Sequence, residues 1–246
     1  MPSSGFTDTG GTARGSTIVE LSPVLTRLPA SAERLFENRH WHSTRAMTRR
    51  AQERGHTYQA LPEGAITEAV LDEALAGADA VVVAPPVVPG APPPAAGRTL
   101  GQRILSRVAR QSPAAHVVLV SHFIVGHGRA HHAAQTGSWV MRDLEYTLRA
   151  HSLTWTILRP TWHSTAQTPT YRPRLMQHPL ADGLVSTASI AATVVAAIEN
   201  PADAGGTTSA VYDEPVEVEP PDLSLVAHEF RLLEKDPESL REVAHV

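Results

Sequence analysis

The stretch 66-ITEAVLDEALAGADAVVVAPPVV-88 indicates the fold of this chain. Its first half has the apolar spacing of a helix over 66–76, and Gly77 is well placed to end that helix. Its second half, AVVVA (80–84), is a continuous apolar run stopped by two prolines, which is typical of a strand buried on both faces. A helix followed directly by such a strand predicts one unit of a parallel α/β sheet.

The same alternation of helices and strands continues along the chain. The sequence predicts helices over 99–112, 140–152 and 190–201, and strands over 116–121 and 154–160. Upstream, an apolar stripe predicts a helix over 16–28, and TRAMTRR (44–50) indicates a short strand that ends in arginines. We therefore expect a Rossmann-like α/β fold, a doubly wound parallel sheet with helices on both faces.

Length and composition fit one α/β domain with a small addition. We expect the Rossmann-like domain over 1–212, with substrate-pocket elements within 160–190, and a C-terminal acidic and helical appendage over 213–246. The chain has no cysteine, and its net charge of −4 gives little support to nucleic-acid binding. With no membrane span or signal peptide in the sequence, we expect a cytoplasmic protein that acts on a small molecule, and a homo-oligomer stays open.

Ligands of open parallel sheets bind outside the carboxyl ends of the strands. The loop after Ala84 and the loop after Ser121 would both lie at that edge. The first turn of the sheet would join them there, and the predicted helix over 16–28 makes GFTDTGGTARGS (5–16) the candidate for that turn.

Several segments together resemble the atypical short-chain dehydrogenase/reductase superfamily, in its NmrA-like, NAD(P)-binding branch. The resemblance spans roughly residues 5–212, and its most specific piece is LRAHSLTWTILRP (148–160). It implies a Rossmann-like fold and an NAD(P) cofactor.

The resemblance also implies where the cofactor would lie. The family's three glycine positions fall on Thr7, Gly10 and Ala13, so only the middle glycine is kept, and Asp8 adds a negative charge. The residues implied to contact the cofactor are Thr9, Gly10, Gly11, Thr12, Arg14, Arg49, Arg50, Ala84 and Pro85. The arginine pair would favour a 2′-phosphate, hence NADP(H). A plain glycine-rich loop and a solvated basic turn are the alternatives, in which case there is no cofactor.

The catalytic positions depart from the superfamily. Its members use a serine with a Tyr-x-x-x-Lys pair, and Ser121 stands at the serine position. The chain contains no Tyr-x-x-x-Lys, its only lysine is Lys235, and Met141 stands where a lysine would precede Glu145 by four residues. Ordinary dehydrogenase acid–base chemistry is therefore unsupported.

Histidine is the residue type available to replace that chemistry, because it titrates near neutral pH. The candidates are His122 and His127 in the loop after Ser121, and His163 after the next strand, although each could be a solvated surface residue. No metal-binding pattern occurs, so we expect no metal site. Candidate walls of a substrate pocket are Phe123, Trp139, Met141, Trp162 and Tyr171, with core packing as the alternative.

Three functions are compatible with these features. The favoured one is an NADP(H)-dependent reductase or isomerase that acts on a small carbonyl or enone compound of specialised metabolism. The second is a cofactor-independent cyclase, isomerase or dehydratase on the same scaffold, which uses serine and histidine for acid–base chemistry. The third is an NmrA-like regulator that senses a dinucleotide.

Overall fold

The computed structural model describes residues 15–22, 43–61, 67–85, 97–127, 136–164, 171–217 and 222–241. The strands in these ranges are β1 (Thr17–Leu21), β2 (Thr57–Leu61), β3 (Ala80–Val83), β4 (His116–Val120), β5 (Thr154–Pro160), β6 (Trp162–Ser164), β7 (Tyr171–Met176), β8 (Leu184–Ser186) and β9 (Thr207–Pro215).

The helices in the same ranges are α1 (43–53), α2 (Glu68–Leu75), α3 (Gly97–Gln111), α4 (Ile124–His127), α5 (Thr136–Arg149), α6 (Thr187–Glu199), α7 (Pro201–Ala204), α8 (Val226–Glu229) and α9 (Glu238–Arg241). Two 3₁₀ turns, Leu223–Leu225 and Phe230–Leu232, flank α8.

One seven-stranded sheet organises the molecule, in the order β2-β1-β3-β4-β5-β9-β7. Neighbouring strands are parallel from β2 across to β9, and only β7 runs antiparallel, against β9. β6 and β8 form a separate two-stranded parallel sheet. From β1 the chain first adds β2 on one side and later β3 on the other, so the topological switch point lies between β1 and β3.

Apolar cores cover both faces of the sheet, because residues along each central strand alternate between them. Val19, Leu21 and Val81 face the core built with α2, α3 and α5. Ile18 and Val82 face the core built with α1, α6 and α8. The predicted doubly wound α/β fold is therefore confirmed.

Two N-terminal elements differ from the sequence prediction. The helix predicted over 16–28 is wrong, because Thr17–Leu21 forms the strand β1, paired on both sides. Its β-branched run Thr17, Ile18 and Val19 suits a buried strand, and pairing with two neighbours overrides the helical stripe. The strand predicted over 44–50 is also wrong, because this segment lies in α1. Met47 and Ala51, four residues apart, are its buried face.

Most later elements match the prediction. The helix and strand quoted first are α2 and β3, with Gly77 at φ +81° just after the helix, a conformation that favours glycine. The predicted helix over 99–112, both strands over 116–121 and 154–160, and the helix over 190–201 are α3, β4, β5 and α6. The expected loop after Ser121 contains the short helix α4, and α5 begins at Thr136.

The C-terminal segment is attached to the domain. The boundary predicted at 212 falls inside β9. Phe230 is 1% exposed in the core beside α6, and Lys235 Nζ donates to the carbonyl oxygens of Ala202, Asp203 and Gly205 at 2.6–3.1 Å. Over the described ranges, no helix has the length and apolar character needed to cross a membrane.

Candidate active site

The carboxyl ends of β1, β3 and β4 meet at one edge of the sheet, where Ser22, Ala84 and Ser121 follow the strands. Ala84 and Pro85 are buried at this edge, as their predicted position requires. The Ala84 N–H donates to Leu21 O at 2.9 Å, so it extends the pairing of β3 with β1. That amide is therefore used within the sheet.

Gly15 and Ser16, the described end of the glycine-rich N-terminal stretch, lie at the opposite edge of the sheet. Gly15 packs so closely on the backbone of Gly55 that a side chain would collide with it, and Ser16 N–H donates to His56 Nδ1 at 3.0 Å. This stretch therefore precedes β1, whereas a dinucleotide turn must follow it. The predicted contacts Thr9, Gly10, Gly11, Thr12 and Arg14 lie outside the described residues.

The connection that does follow β1 contains no glycine, since the sequence has none between Gly15 and Gly55. A phosphate-binding turn needs glycine so that backbone N–H groups can approach the pyrophosphate closely. The described start of this connection is Ser22, whose hydroxyl binds the carboxylate of Glu20 on β1. The family's glycine turn is thus missing from its place in the fold.

Arg49 and Arg50 also lie elsewhere than predicted. Both are on α1, whereas the second strand is β2 and ends at Leu61. Arg49 Nε lies 3.8 Å from Glu53 Oε1, and Arg50 Nη1 lies 3.5 Å from Glu53 Oε2. Because they do not end the second strand, the reason for assigning them to a ribose 2′-phosphate is removed.

Ser121 belongs to a buried charged cluster formed by Ser121, Glu145, Arg149 and Arg159, which we call the Glu145 cluster. Ser121 Oγ donates to Glu145 Oε1 at 2.6 Å. Arg159 binds both carboxylate oxygens, with Nε 3.0 Å from Oε1 and Nη2 2.7 Å from Oε2. Arg149 Nη1 adds a bond to Oε2 at 3.3 Å. The Ser121 proton is therefore directed to Glu145, so the hydroxyl can accept but not donate a hydrogen bond to a substrate.

The electrostatics of this cluster keep Glu145 ionised. Burial is the largest single influence and would raise the pKa of Glu145, but the charge and hydrogen bonds of Arg159, with Arg149 and Ser121, outweigh it and lower that pKa. A carboxylate held this way is a weak base. We interpret Ser121 and Glu145 as a pair that fixes the end of β4 to α5.

The helix position where related enzymes carry a lysine lies inside the core. Met141 is 1% exposed and packs in the apolar cluster with Leu144 and Leu148. This corrects its prediction as a wall of an open substrate pocket. Trp139 lies on the same helix, α5, but its side chain is not among those that the structure describes.

Four predicted residues do come together, and we call them the aromatic cluster: His122, Phe123, His127 and Trp162. Ring centroids of Phe123 lie 4.9 Å from His122, 5.0 Å from Trp162 and 5.3 Å from His127. His122 and Trp162 meet edge to face at 6.0 Å. Phe123 is buried, while the other three rings are half-buried beside it. The cluster lies where β4 and β5 end.

Hydrogen bonds assign the protons of the two histidines. His122 Nδ1 faces the Ile124 N–H at 3.3 Å and accepts from it, so a neutral His122 carries its proton on Nε2. His127 Nε2 lies 3.0 Å from Ala181 O, which makes that nitrogen a donor to the carbonyl. His122 is the better candidate for chemistry, because it directly follows Ser121 at the carboxyl end of β4.

The other two candidates lie apart from this cluster. His163 follows Trp162 on β6 and is exposed. Since consecutive side chains of a strand point to opposite sides, His163 faces away from the ring contacts of Trp162. Tyr171 begins β7, the edge strand, opposite Pro215.

Sequence reasoning missed two acidic residues that the fold buries. One is Glu145, used only as a reference position. The other is Glu20, 1% exposed, whose carboxylate accepts from Ser22 Oγ (3.0 Å), Thr44 Oγ1 (2.8 Å) and Tyr58 OH (2.8 Å). A glutamate inside the apolar run TIVEL was the available signal. In the part of the chain that the structure describes, no group of three or more His, Asp or Glu could hold a metal ion.

Gly126 positions α4 beside the aromatic cluster. A Cβ here would collide with the carbonyl oxygen of Pro179 and would lie 3.3 Å from Arg159 Nη1. We expect Gly126→Ala to lower the free energy of unfolding by about 1–3 kcal/mol, because the backbone of 179 must shift. Urea unfolding followed by circular dichroism measures this change.

Gly101→Ala is the matched control, since its Cβ would meet only the movable Cδ1 of Leu144, at 2.9 Å. Alanine also has the higher helix propensity, so we expect this variant of α3 to be neutral or stabilised by up to about 1 kcal/mol. Equal losses in the two variants would contradict the close packing of Gly126.

The sequence matches the model of the NAD(P)H-binding family over residues 30–201, more than half of the chain. The chain belongs to this family. The NAD(P)H-binding family fits the mostly parallel sheet, and it confirms the resemblance to atypical short-chain dehydrogenases. The matched range excludes the glycine-rich stretch. No curated protein matches the chain significantly.

Solved structures share the fold at low sequence identity. ChuY from Escherichia coli CFT073 has a TM-score of 0.56 at 11% identity, covering 83% of this chain and 100% of its own. The oxidoreductase YlbE from Lactococcus lactis has a TM-score of 0.54 at 12%, covering 81% and 92%. A short-chain dehydrogenase/reductase from Veillonella parvula, in complex with NADP, has a TM-score of 0.55 at 14%, covering 84% and 99%. At these identities the likeness shows the fold alone.

The described residues at the end of β1 do not include a glycine turn for the family's nicotinamide cofactor. A glycine turn should follow β1, but that connection has no glycine. The described polar groups at this place are the Glu20 carboxylate and the hydroxyls that bind it. The chain thus has an oxidoreductase-like, NAD(P)-binding type of scaffold, with no glycine in the sequence between Gly15 and Gly55.

Proposed function

We propose that this protein is a cofactor-independent isomerase, dehydratase or cyclase that acts on a small carbonyl or enone compound of specialised metabolism. The single observation that carries the proposal is His122, held at the carboxyl end of β4 by Phe123 and the Ile124 N–H. The glycine-free connection after β1 favours chemistry without a dinucleotide.

In this proposal His122 polarises the substrate. Its neutral ring carries the proton on Nε2, and that N–H donates to the carbonyl oxygen of the substrate. As an adjacent carbon gives up its proton to a water molecule of the solvent, negative charge grows on this oxygen and the hydrogen bond strengthens. Trp162, half-buried and edge-on to His122, offers an aromatic surface for a flat substrate.

Membership in the NAD(P)H-binding family supports a second candidate, the NADP(H)-dependent reductase or isomerase. When bound, the cofactor would supply a hydride. The same His122 N–H would then stabilise the oxygen that gains charge. This candidate requires phosphate-binding groups other than a glycine turn.

We expect His122→Ala to lower the rate of carbon–hydrogen exchange in a carbonyl compound by about a hundredfold, because one donor to the developing charge is lost. The probes are acetophenone and cyclohex-2-enone in D₂O, with deuterium uptake next to the carbonyl followed by proton NMR. His122→Phe tests the same loss while keeping a ring against Phe123 and Trp162.

The matched control is His151→Ala, at the turn between α5 and β5 and therefore at the opposite edge of the sheet. It should exchange these probes at the wild-type rate. Unchanged exchange in His122→Ala would reject the role of His122. Exchange that occurs only after NADPH is added would favour the second candidate.

A further inference from the structure

The end of β1 and the described start of α1 are joined through one buried carboxylate. Glu20 is the fourth residue of β1 and is 1% exposed. Ser22, just past the strand, and Thr44, near the described start of α1, donate their hydroxyls to Glu20 Oε1 at 3.0 and 2.8 Å. Tyr58 on β2 donates to the other oxygen, Oε2, at 2.8 Å. Both carboxylate oxygens are thus held between β1, α1 and β2.

This junction is the place where dinucleotide-binding sheets hold an anion. In such folds the pyrophosphate lies between the carboxyl end of the first strand and the N-terminus of the helix that follows it. Here α1 is the described helix that leads into β2, and the Glu20 carboxylate binds Thr44, the second of its described residues. The hydroxyl donors at the junction are therefore directed to a side chain of the protein itself.

We propose that Glu20 takes the place of the cofactor pyrophosphate, so that this member of the NAD(P)H-binding family does not bind a dinucleotide at its first strand–helix junction. The missing glycines remove the close approach of backbone N–H groups, and the carboxylate repels a second anion. A unit negative charge brought within about 4 Å of another near a protein surface weakens binding by roughly a thousandfold.

The first test is calorimetric titration of the wild-type protein with NADPH, NADP⁺ and NADH up to millimolar concentration. We expect no saturable binding of any of them. A dissociation constant in the micromolar range for any of the three would overturn the proposal. The test does not involve His122, so a failure of the proposed acid–base chemistry would leave it unaffected.

The second test checks the carboxylate through its neighbour. Burial, the charge of Glu20 and the hydrogen bond to it raise the pKa of Tyr58 well above the usual value for tyrosine. Glu20→Gln removes the charge and should lower the pKa of Tyr58, seen as earlier appearance of phenolate absorbance on alkaline titration. An unchanged titration would overturn the placement of the carboxylate.

Glu53→Gln is the matched control, since Glu53 is an exposed residue of α1 whose carboxylate forms ion pairs with Arg49 and Arg50 of this helix. It should leave the tyrosine titration unchanged. Should Glu20→Gln fail to fold, the difference between the titrations of wild type and Tyr58→Phe isolates the Tyr58 phenol. We expect that phenol to ionise last of the four tyrosines, and ionisation together with the other three would overturn the proposal.

Discussion

Replacing Glu145 by leucine should lower the free energy of unfolding by about 3–5 kcal/mol, the largest loss we expect from one substitution in this protein. Glu145 is 1% exposed and Arg159 is 4% exposed, so the ion pair they form is fully inside the fold. Without the carboxylate, Arg159 and Arg149 would keep their charges in the interior with their main partner gone. Ser121 would also lose its acceptor.

Urea unfolding at neutral pH measures this loss, with a double variant as the decisive comparison. Glu145→Leu combined with Arg159→Met removes both charges of this pair and leaves Arg149 its second partner, Asp236, 3.3 Å from Nε. The double variant should therefore recover a large part of the stability, because an apolar pair of similar volume replaces the ion pair. If the single variant does not fold, a cooperative unfolding transition of the double variant still shows that stability has been recovered. A double variant no more stable than the single one would contradict the interpretation.

A surface ion pair supplies the control for this experiment. Asp203 and Arg231 lie 3.1 Å apart with exposed side chains. Asp203→Asn should cost less than about 1 kcal/mol, since exposed pairs contribute little. A loss under 1 kcal/mol for Glu145→Leu as well would show that the cluster is not a buried ion pair in solution.

The sequence predicts the central part of the fold well because its signals there are local. β5 is found at its full length, 154–160, since all but its first residue are buried and apolar residues dominate the run. In α2 and β3, Gly77 and the two prolines after Ala84 mark the ends of each element. Glycine and proline mark the ends of helices and strands locally, so these ends can be predicted without knowledge of the tertiary structure.

The N-terminal elements could not be assigned from local pattern. TIVEL (17–21) has only five residues, and as a short apolar run it fits a helix stripe or a buried strand equally well. Its pairing with β2 and β3 decides the case, and those contacts lie 40 and more residues away in sequence. The same error moved the expected cofactor turn to the wrong side of β1.

The candidate site was predicted in part for a related reason. His122, Phe123, His127 and Trp162 were found because they follow predicted strands, and the carboxyl ends of parallel strands share one edge. The sequence gives no measure of which hydrogen bonds each group makes. For that reason only the structure shows that Ser121 donates its proton to Glu145 and that Glu20 is buried.

The second large effect concerns pH and arises from His116, at the start of β4. His116 is 5% exposed, and its Nε2 lies 2.8 Å from Thr156 Oγ1. That hydroxyl donates its own proton to Ala204 O at 2.8 Å, so it accepts from the histidine, whose neutral form carries the proton on Nε2. Burial, and to a lesser degree the charge of Lys235, lowers the pKa of His116 from 6.5 to about 4.

Stability should therefore fall as the pH falls from about 6.5 to about 4. In this window the unfolded chain binds a proton at this histidine while the folded protein does not, so protonation favours unfolding. The full effect is about 3 kcal/mol, because each unit of difference in pKa corresponds to about 1.4 kcal/mol.

His116→Gln keeps an N–H for Thr156 but does not titrate, so its stability should depend less on pH than that of the wild type. Urea midpoints at pH 7, 6, 5 and 4.5 for both proteins give the comparison, and the difference between the two curves removes the contribution of the carboxylates that titrate in both. His151→Gln, at the half-buried turn between α5 and β5, is the control for the loss of a histidine elsewhere in the chain. Parallel curves for His116→Gln and wild type would mean that His116 binds its proton equally well in the folded and unfolded chain.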